Sequence, residues 1–355
     1  MSEVGKKPGV NMRSIVAAIT GRYILLLVLA IIAIGFSIAR PETYGTWDNF
    51  RSILNTQIPV LFLAIAATLP FIVGEFDLSL AATGAFVNVF FVGLVLKQGW
   101  PVWAAVITCL AAALAMGLFN GFAIVRLGIS SFIVTLASGT ILAGILLAYS
   151  GGEIIYGDAP AALTFLGRTS LGGLPLPVIF AAIVSVFLAI VLWGTTVGRR
   201  MYASGSNRRA AQLTGIPTNR YLIVTFVIAA VLAAVAGLVL GSRLGSATPD
   251  TSNTLLIPAF AGAFLGATGF SAGRFNIPGT VVAVFIVGAA VNGLQQIGAA
   301  IWVQPVFNGV VLFVAVALAQ WTQRLRAASA KRERLREIEA LAKHDAETHS
   351  KAPAA

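Results

Sequence analysis

One cysteine and two histidines are all that 355 residues offer in thiol or imidazole chemistry. A single cysteine closes no disulfide within the chain and builds no thiol metal site. Cys109 lies in an apolar run and reads as a small packing residue. His344 and His349 lie in the polar C-terminal tail, so no histidine stands in an apolar segment to relay protons or hold a metal. Charge is equally scarce. Asp, Glu, Lys and Arg make up 10% of the chain, against about 25% in a soluble domain. A soluble protein of this length needs a polar surface that this composition cannot supply. No Gly-x-x-x-x-Gly-Lys-Ser/Thr phosphate loop occurs; Gly5-Lys6, in the N-terminal tail, is the one Gly-Lys pair. The chain therefore does not hydrolyse ATP by that mechanism on its own. No nucleophile–base pair, zinc-finger spacing or basic stripe with interleaved aromatics is present. Despite a formal net charge of +11, nucleic acid is not an expected partner.

What the chain has is apolar residues, at 58%. They fall in runs long enough to span a bilayer, since a helix rising about 1.5 Å per residue crosses roughly 30 Å in about 20 residues. Ten spans are expected at residues 22–39, 53–73, 78–97, 101–122, 131–149, 176–196, 221–241, 256–270, 278–297 and 303–322. The fold class is all-α integral membrane, with some helices broken or re-entrant. Residues 1–21 form an N-terminal tail, 22–322 the transmembrane domain, and 323–355 a charged C-terminal tail that alternates in sign as a solvated helix does. The apolar stretch Tyr23–Phe36 follows Lys6, Lys7 and Arg13, and Ser37-Ile38-Ala39 resembles a signal cleavage site. The stretch is long enough to span, so we read it as the first helix, retained.

Lysine and arginine set the orientation, because basic residues accumulate on the cytoplasmic side. With both termini inside, the inner segments hold nineteen Lys and Arg and the outer segments five: Arg40, Arg51, Lys97, Arg168 and Arg243. The opposite orientation inverts that ratio. Trp47, Trp100 and Trp302 then fall at outer interfaces, where indole rings anchor. Residues 150–175 form the longest outer loop, with Glu153 and Asp158.

A shift of 199 residues exposes an internal repeat. Ile58-Pro59 falls on Ile257-Pro258, Ala64 on Ala263, Phe71 on Phe270, Gly74 on Gly273 and Phe76 on Phe275. Both copies run outside to inside, which suggests two weakly similar parallel halves.

Three groups of residues carry chemistry. In Gly74-Glu75-Phe76-Asp77-Leu78-Ser79 two carboxylates sit between two apolar spans. Carboxylates beside hydrocarbon need water, a partner or a helix N-terminus. Asp77 can cap the following helix with Ser79 in its first turn, and Gly74 lets the chain break. The alternative is contact of Glu75, Asp77 and Ser79 with solute or a gate. The second group is the inner segment 197–220, with five arginines and no acid. Asn207 can cap a short helix through Arg208, Arg209, Ala210, Ala211 and Leu213, which Gly215 ends after Thr214 and before Ile216-Pro217. Such a helix presents a knob to another protein; a plain basic loop is the other reading. The third group is amides in apolar runs: Asn88, Asn120, Asn292, Gln295, Gln296 and Asn308. Buried amides must be hydrogen-bonded, either joining helices or lining a polar path.

At these residues the chain resembles the permease subunits of ribose-type bacterial ABC sugar importers. Val73–Ser79 resembles that family's Gly-Gly-Ile-Asp-Leu-Ser element. Asn120-Gly121 followed by Phe132-Ile133-Val134-Thr135-Leu136 resembles its Asn-Gly…Phe-Ile-Val-Thr-Leu element. Gly198-Arg199-Arg200 through Gly215-Ile216 resembles its cytoplasmic coupling segment. Departures are Glu75 in place of a usual glycine, Ser130-Ser131 in place of a proline-containing approach, and Arg209 where glutamate commonly precedes Ala-Ala. The resemblance implies a permease in the bacterial inner membrane that moves a sugar or similar small polar solute by alternating access. It implies a second permease chain, the same or related, and an extracytoplasmic solute-binding protein. It also implies a separate ABC ATPase carrying ATP and Mg, docked under Asn207–Gly215. This chain itself is expected to hold no cofactor and no metal. The rival reading is a secondary, proton-coupled transporter or a facilitator of a small polar solute, with Glu75 and Asp77 as the proton-coupling sites of the former.

Overall fold

The protein is described here by a computed structural model covering residues 12–270, 273–322 and 324, with side chains considered for these apart from 12–22 and 251–253. The tail proposed at 323–355 thus lies outside the described residues but for Arg324, as does most of the tail at 1–21. Among the described residues, thirteen helices and one short hairpin make up the fold. They are α1 (Met12–Ala39), α2 (Trp47–Ile72), α3 (Leu80–Leu96), α4 (Val102–Leu127), α5 (Ser131–Ser150) and α6 (Ala161–Arg168). After the hairpin β1–β2 (Ser170–Leu171, Leu174–Pro175) come α7 (Leu176–Gly194), α8 (Thr196–Ser206), α9 (Arg208–Leu213), α10 (Thr218–Leu244), α11 (Thr251–Gly266) and α12 (Ile277–Gln296). A last helix, α13, runs Val303–Thr322.

Each of the ten expected spans falls on one apolar helix. Seven of these are long and apolar enough to cross a membrane; the apolar parts of α1 and α11, and all of α3, are shorter. The chain is a multi-pass membrane protein. Its burial pattern separates inner helices from outer ones. α2 is buried without interruption from Ile58 to Ile72, as a helix that is apolar all round must be. α10 lies beside it, packed on α2, α3 and α4. α7 and α13 instead expose large apolar residues such as Ile183, Phe187, Ile190 and Phe313, a surface suited to hydrocarbon and unsuited to water. α4 meets α10 through Gly117 and Gly121, where an added methyl would press on the backbone at Val227 and Ile223. Small residues four apart let two membrane helices approach this closely.

The differences from the sequence reading lie at helix ends and in connections. α2 begins six residues before the expected 53, because Thr46 caps it by accepting from the Asn49 N–H at 3.2 Å. α11 stops at Gly266 where 256–270 was expected. The segment 150–175 is no plain loop: α6 and the hairpin fold within it, and α6 and Ile155 are pinned to the end of α10. Gly167 N–H donates to Ser242 Oγ at 2.8 Å, Arg168 donates to the carbonyls of Arg243 and Leu244, and Ile155 bridges Ala247. The segment 197–220 contains not one short helix but two, α8 and α9.

Candidate functional site

The repeat seen in the sequence marks two breaks in the apolar helices. α2 ends at Ile72 and the chain turns through Gly74 at φ +82° before α3. α11 ends at Gly266, and Gly273, at φ +80°, precedes α12. Glycine takes this left-handed conformation without the clash a Cβ brings. The residue after each turn reaches the same aromatic cluster: Phe76 lies 5.2 Å and Phe275 4.9 Å from Phe71, ring centre to ring centre. Phe264 and Phe260 also join it, 4.8 Å and 5.4 Å from Phe71. Asp77 and Asn276, which align in the repeat, do related work. Asn276 caps α12, its Oδ1 accepting from Gly279 N–H at 2.8 Å. Asp77, only 2% exposed, accepts from Ser79 N–H at 2.9 Å and Ser79 Oγ at 2.6 Å. The expected cap of α3 by Asp77 is corrected here. The helix starts one residue later than Ser79, which is itself the cap position, and the carboxylate closes the turn onto it.

Asn120 on α4 extends this turn into a chain, donating through Nδ2 to Ser79 Oγ at 3.0 Å. Burial pushes the Asp77 carboxyl up to about 6, and the two bonds from Ser79 pull it down. Replacing Asp77 by Ala leaves both Ser79 donors without their acceptor in a buried turn. We expect a loss of about 2–3 kcal/mol, against about 1 for Asp77→Asn, whose Oδ1 still accepts. Thermal unfolding in detergent measures this; equal midpoints for the two variants would contradict the arrangement.

α8 and α9 hold both breaks. Asn207 caps α9 as expected, accepting from Ala210 N–H at 2.9 Å, and Gly215, at φ +81°, follows its end. Arg208 pairs with Glu75 at 3.1 Å. Their side chains are 40% and 19% exposed, so the pair contributes at most about 1 kcal/mol; what it supplies is a link between α9 and the first break. Glu75 accordingly faces α9. Gly205 on α8 seats directly on the backbone of Ile72 and Val73. On the second break, Tyr202 OH donates to the Phe275 carbonyl at 2.7 Å, and the Arg274 guanidinium lies 6.0 Å from the Tyr202 ring centre. Burial raises the Tyr202 phenol to about 12, opposed by Arg274, so it stays a donor at any physiological pH. Ala211 turns inward, 5% exposed, while Leu213 is 85% exposed and Arg209 is also exposed. Ile216 N–H donates to the Ala211 carbonyl at 3.0 Å, closing the turn after α9.

The amide candidates do not gather in one place. Gln296 Nε2 donates to Asn49 at 2.7 Å and to Asn292 at 3.0 Å, joining α12 to the start of α2. Asn88 is fully enclosed beside Gly237 and Gly241 on α10, and neither of its amide atoms finds a partner. Asn308 is buried on α13, its Oδ1 also without one. Gln295 reaches Gln304 at 2.8 Å, at the exposed end of α12. The sequence placed Phe71 in the repeat and Tyr202 and Gly205 in the coupling segment, but assigned none of them its contact with the breaks. The repeat alignment was the available signal, since it had already paired Phe76 with Phe275.

The chain matches the family model described as branched-chain amino acid transport system, permease component, over residues 49–316. It is 33% identical over 299 residues to the ribose import permease protein RbsC of Bacillus subtilis, spanning 84% of this chain and 91% of that protein. It is 34% identical over 259 residues to the autoinducer 2 import system permease protein LsrD of Klebsiella pneumoniae, 72% and 78% of the two chains. It is 31% identical over 317 residues to the D-allose transport system permease protein AlsC of Escherichia coli, 89% and 96% of the two. With three quarters of its length inside the family match, this multi-pass chain belongs to the branched-chain amino acid transport system permease-component family, as a transport subunit and not an enzyme.

Proposed function

We propose that the chain is the pore-forming permease of an ATP-driven importer for a sugar or similarly small polar solute; the relatives are named as permease proteins for ribose, autoinducer 2 and D-allose. It sits in the bacterial inner membrane with both termini cytoplasmic. Residues 22–322 form the permease domain, between a short tail at 1–21 and a charged one at 323–355. A second permease chain completes the pore, and an extracytoplasmic binding protein delivers solute to the outer loops. A separate ABC ATPase, which carries ATP and Mg, docks on α9 and the turn through Gly215.

The observation that carries this reading is the hold of α8–α9 on both breaks. A push on the exposed face of α9 reaches Gly74–Phe76 through Arg208 and Gly205. It reaches Arg274–Phe275 through Tyr202. Two helix breaks converging on Phe71 can then repack together, which is what alternating access requires of a bistable element. The family match and the absence of a phosphate loop in this sequence support an energy source on another chain. Glu75, already paired with Arg208, is poorly placed as the proton site of a secondary transporter.

Purification from the native host with an affinity tag tests this. A protein with a phosphate loop is expected to co-purify, and uptake is expected to survive collapse of the proton gradient. If the chain purifies alone and uptake tracks the gradient, the importer reading fails.

A further inference from the structure

Among the described residues, three apolar grooves open along the helices, and one of these differs from the other two in charge. A groove of about 370 Å³ between α2, α7 and α12, and one of about 520 Å³ between α1, α2 and α12, have no Lys, Arg, Asp or Glu in their walls. The third, of about 410 Å³, lies where α7 and α10 diverge and α8 crosses one end. Its floor is Leu69, Leu188 and Leu192, and its outer wall includes Val224 and Ile228. Arg200 and Arg220 also line it. Both arginines are exposed, and neither has an acidic partner among the described residues. Arg200 donates only a long bond, 3.5 Å, to the Tyr221 hydroxyl. The whole stretch from 198 to 221 contains no acid.

We propose that this groove binds an anionic glycerophospholipid of the surrounding bilayer. One acyl chain lies along Leu188, Leu192, Val224 and Ile228, and the phosphate rests between Arg200 and Arg220. The chemistry is complementary on both counts. The walls suit hydrocarbon, and two uncompensated guanidiniums at the end of a span suit a phosphate diester. The two uncharged grooves take acyl chains without regard to headgroup, so they provide an internal comparison. The site bears on transport because α8, which closes the groove with Val197 and Met201, also carries Tyr202 and Gly205. The inference uses the chain's membrane location and not its orientation or its ATPase, so it stands or falls apart from the importer reading.

Native mass spectrometry of the purified complex tests it, with palmitoyl-oleoyl phosphatidylglycerol against phosphatidylcholine of the same chains. The wild-type protein is expected to retain the anionic lipid roughly thirtyfold more tightly, as two nearby basic residues predict. Arg200→Gln with Arg220→Gln should bring that ratio to within about twofold of unity, whereas Arg126→Gln, an arginine outside the groove, should leave it unchanged. Ile228→Trp fills the groove with the arginines intact and should also abolish the preference; it serves if the double variant proves unstable. No preference in the wild type overturns the proposal. So does a preference that survives both the arginine and the tryptophan replacements. Arginine variants that lose co-purifying protein while keeping the lipid ratio would assign the pair to a protein partner and overturn it as well.

Discussion

Gly205→Ala is expected to remove most uptake and to lower thermal stability, and Gly205→Val to abolish both uptake and the folded yield. A methyl on Gly205 would overlap the Ile72 carbonyl oxygen and lie 2.9–3.0 Å from the carbonyl carbons of Ile72 and Val73. These are main-chain atoms of the last turn of α2, the most continuously buried helix of the fold. A flexible side chain at this point would swing aside, but the end of α2 cannot, since the Phe71 cluster and the turn at Gly74 fix it. Overpacking of this kind costs about 1–3 kcal/mol, and the alternative to paying it is to lift α8 off the break. Lifting α8 also separates Arg208 from Glu75 and Tyr202 from Phe275, so both breaks lose their hold together. Gly35 in α1 has open space around it; Gly35→Ala is expected to be neutral or stabilising by about 0.5–1 kcal/mol, as for Gly→Ala in a helix interior. Wild-type uptake and melting in Gly205→Ala would remove α8 from the coupling path.

The helices were legible in the sequence, and most of the joints were not. Ten apolar runs matched ten apolar helices because hydrocarbon leaves a chain little choice: backbone groups must bond within the segment, and the length of a span is fixed by the bilayer. The capping of α9 by Asn207 and its end near Gly215 were equally readable, since both rest on local backbone rules. α8 escaped notice because Thr196–Ser206 is short and polar on average, unlike the apolar runs on either side. Its helix starts on a local cap, the Thr195 hydroxyl accepting from Gly198 N–H at 3.4 Å, and its packing partners are about 70 and 130 residues away in sequence.

The candidate site divides in the same way. Asp77, Ser79 and Asn120 meet as one chain of hydrogen bonds, which the sequence allowed but did not state. Glu75 invites a reading as a cavity acid, yet its partner is Arg208. Glu75 and Arg209 both depart from the resembled family's pattern, at two places that lie far apart in the sequence and close together in the fold. No spacing rule connects residues 75 and 208; only the contact of a helix break with α9 does. The amides fail to converge for a similar reason. An amide in an apolar run announces that a partner is needed and says nothing of which helix supplies it. Gln296 finds Asn49 across two helix ends, while Asn88 finds none.

Leu213→Asp is expected to cut recovery of the co-purifying ATPase at least tenfold and to reduce uptake in proportion, while leaving the melting of the permease within about 0.5 kcal/mol of wild type. The separation of the two effects follows from exposure. At 85% exposed, Leu213 contributes almost nothing to the chain's own packing, and an aspartate there meets water. Burying a leucine against a partner is worth about 1.5–3 kcal/mol. A carboxylate forced into the same contact adds the cost of an unpaired buried charge. Together these exceed the 1.4 kcal/mol that a tenfold change requires. Ala211 offers a less clean test. It is turned inward, so Ala211→Glu would disturb α9 itself and confound docking with folding. The pair is therefore informative in its contrast: Leu213→Asp should lose the partner with the fold kept, and Ala211→Glu should lose both. If Leu213→Asp keeps both ATPase and uptake, α9 is not the docking surface. The hold of α8–α9 on the two breaks would then serve the architecture of the permease alone, and the contact that drives transport would have to be sought elsewhere on the face that carries them.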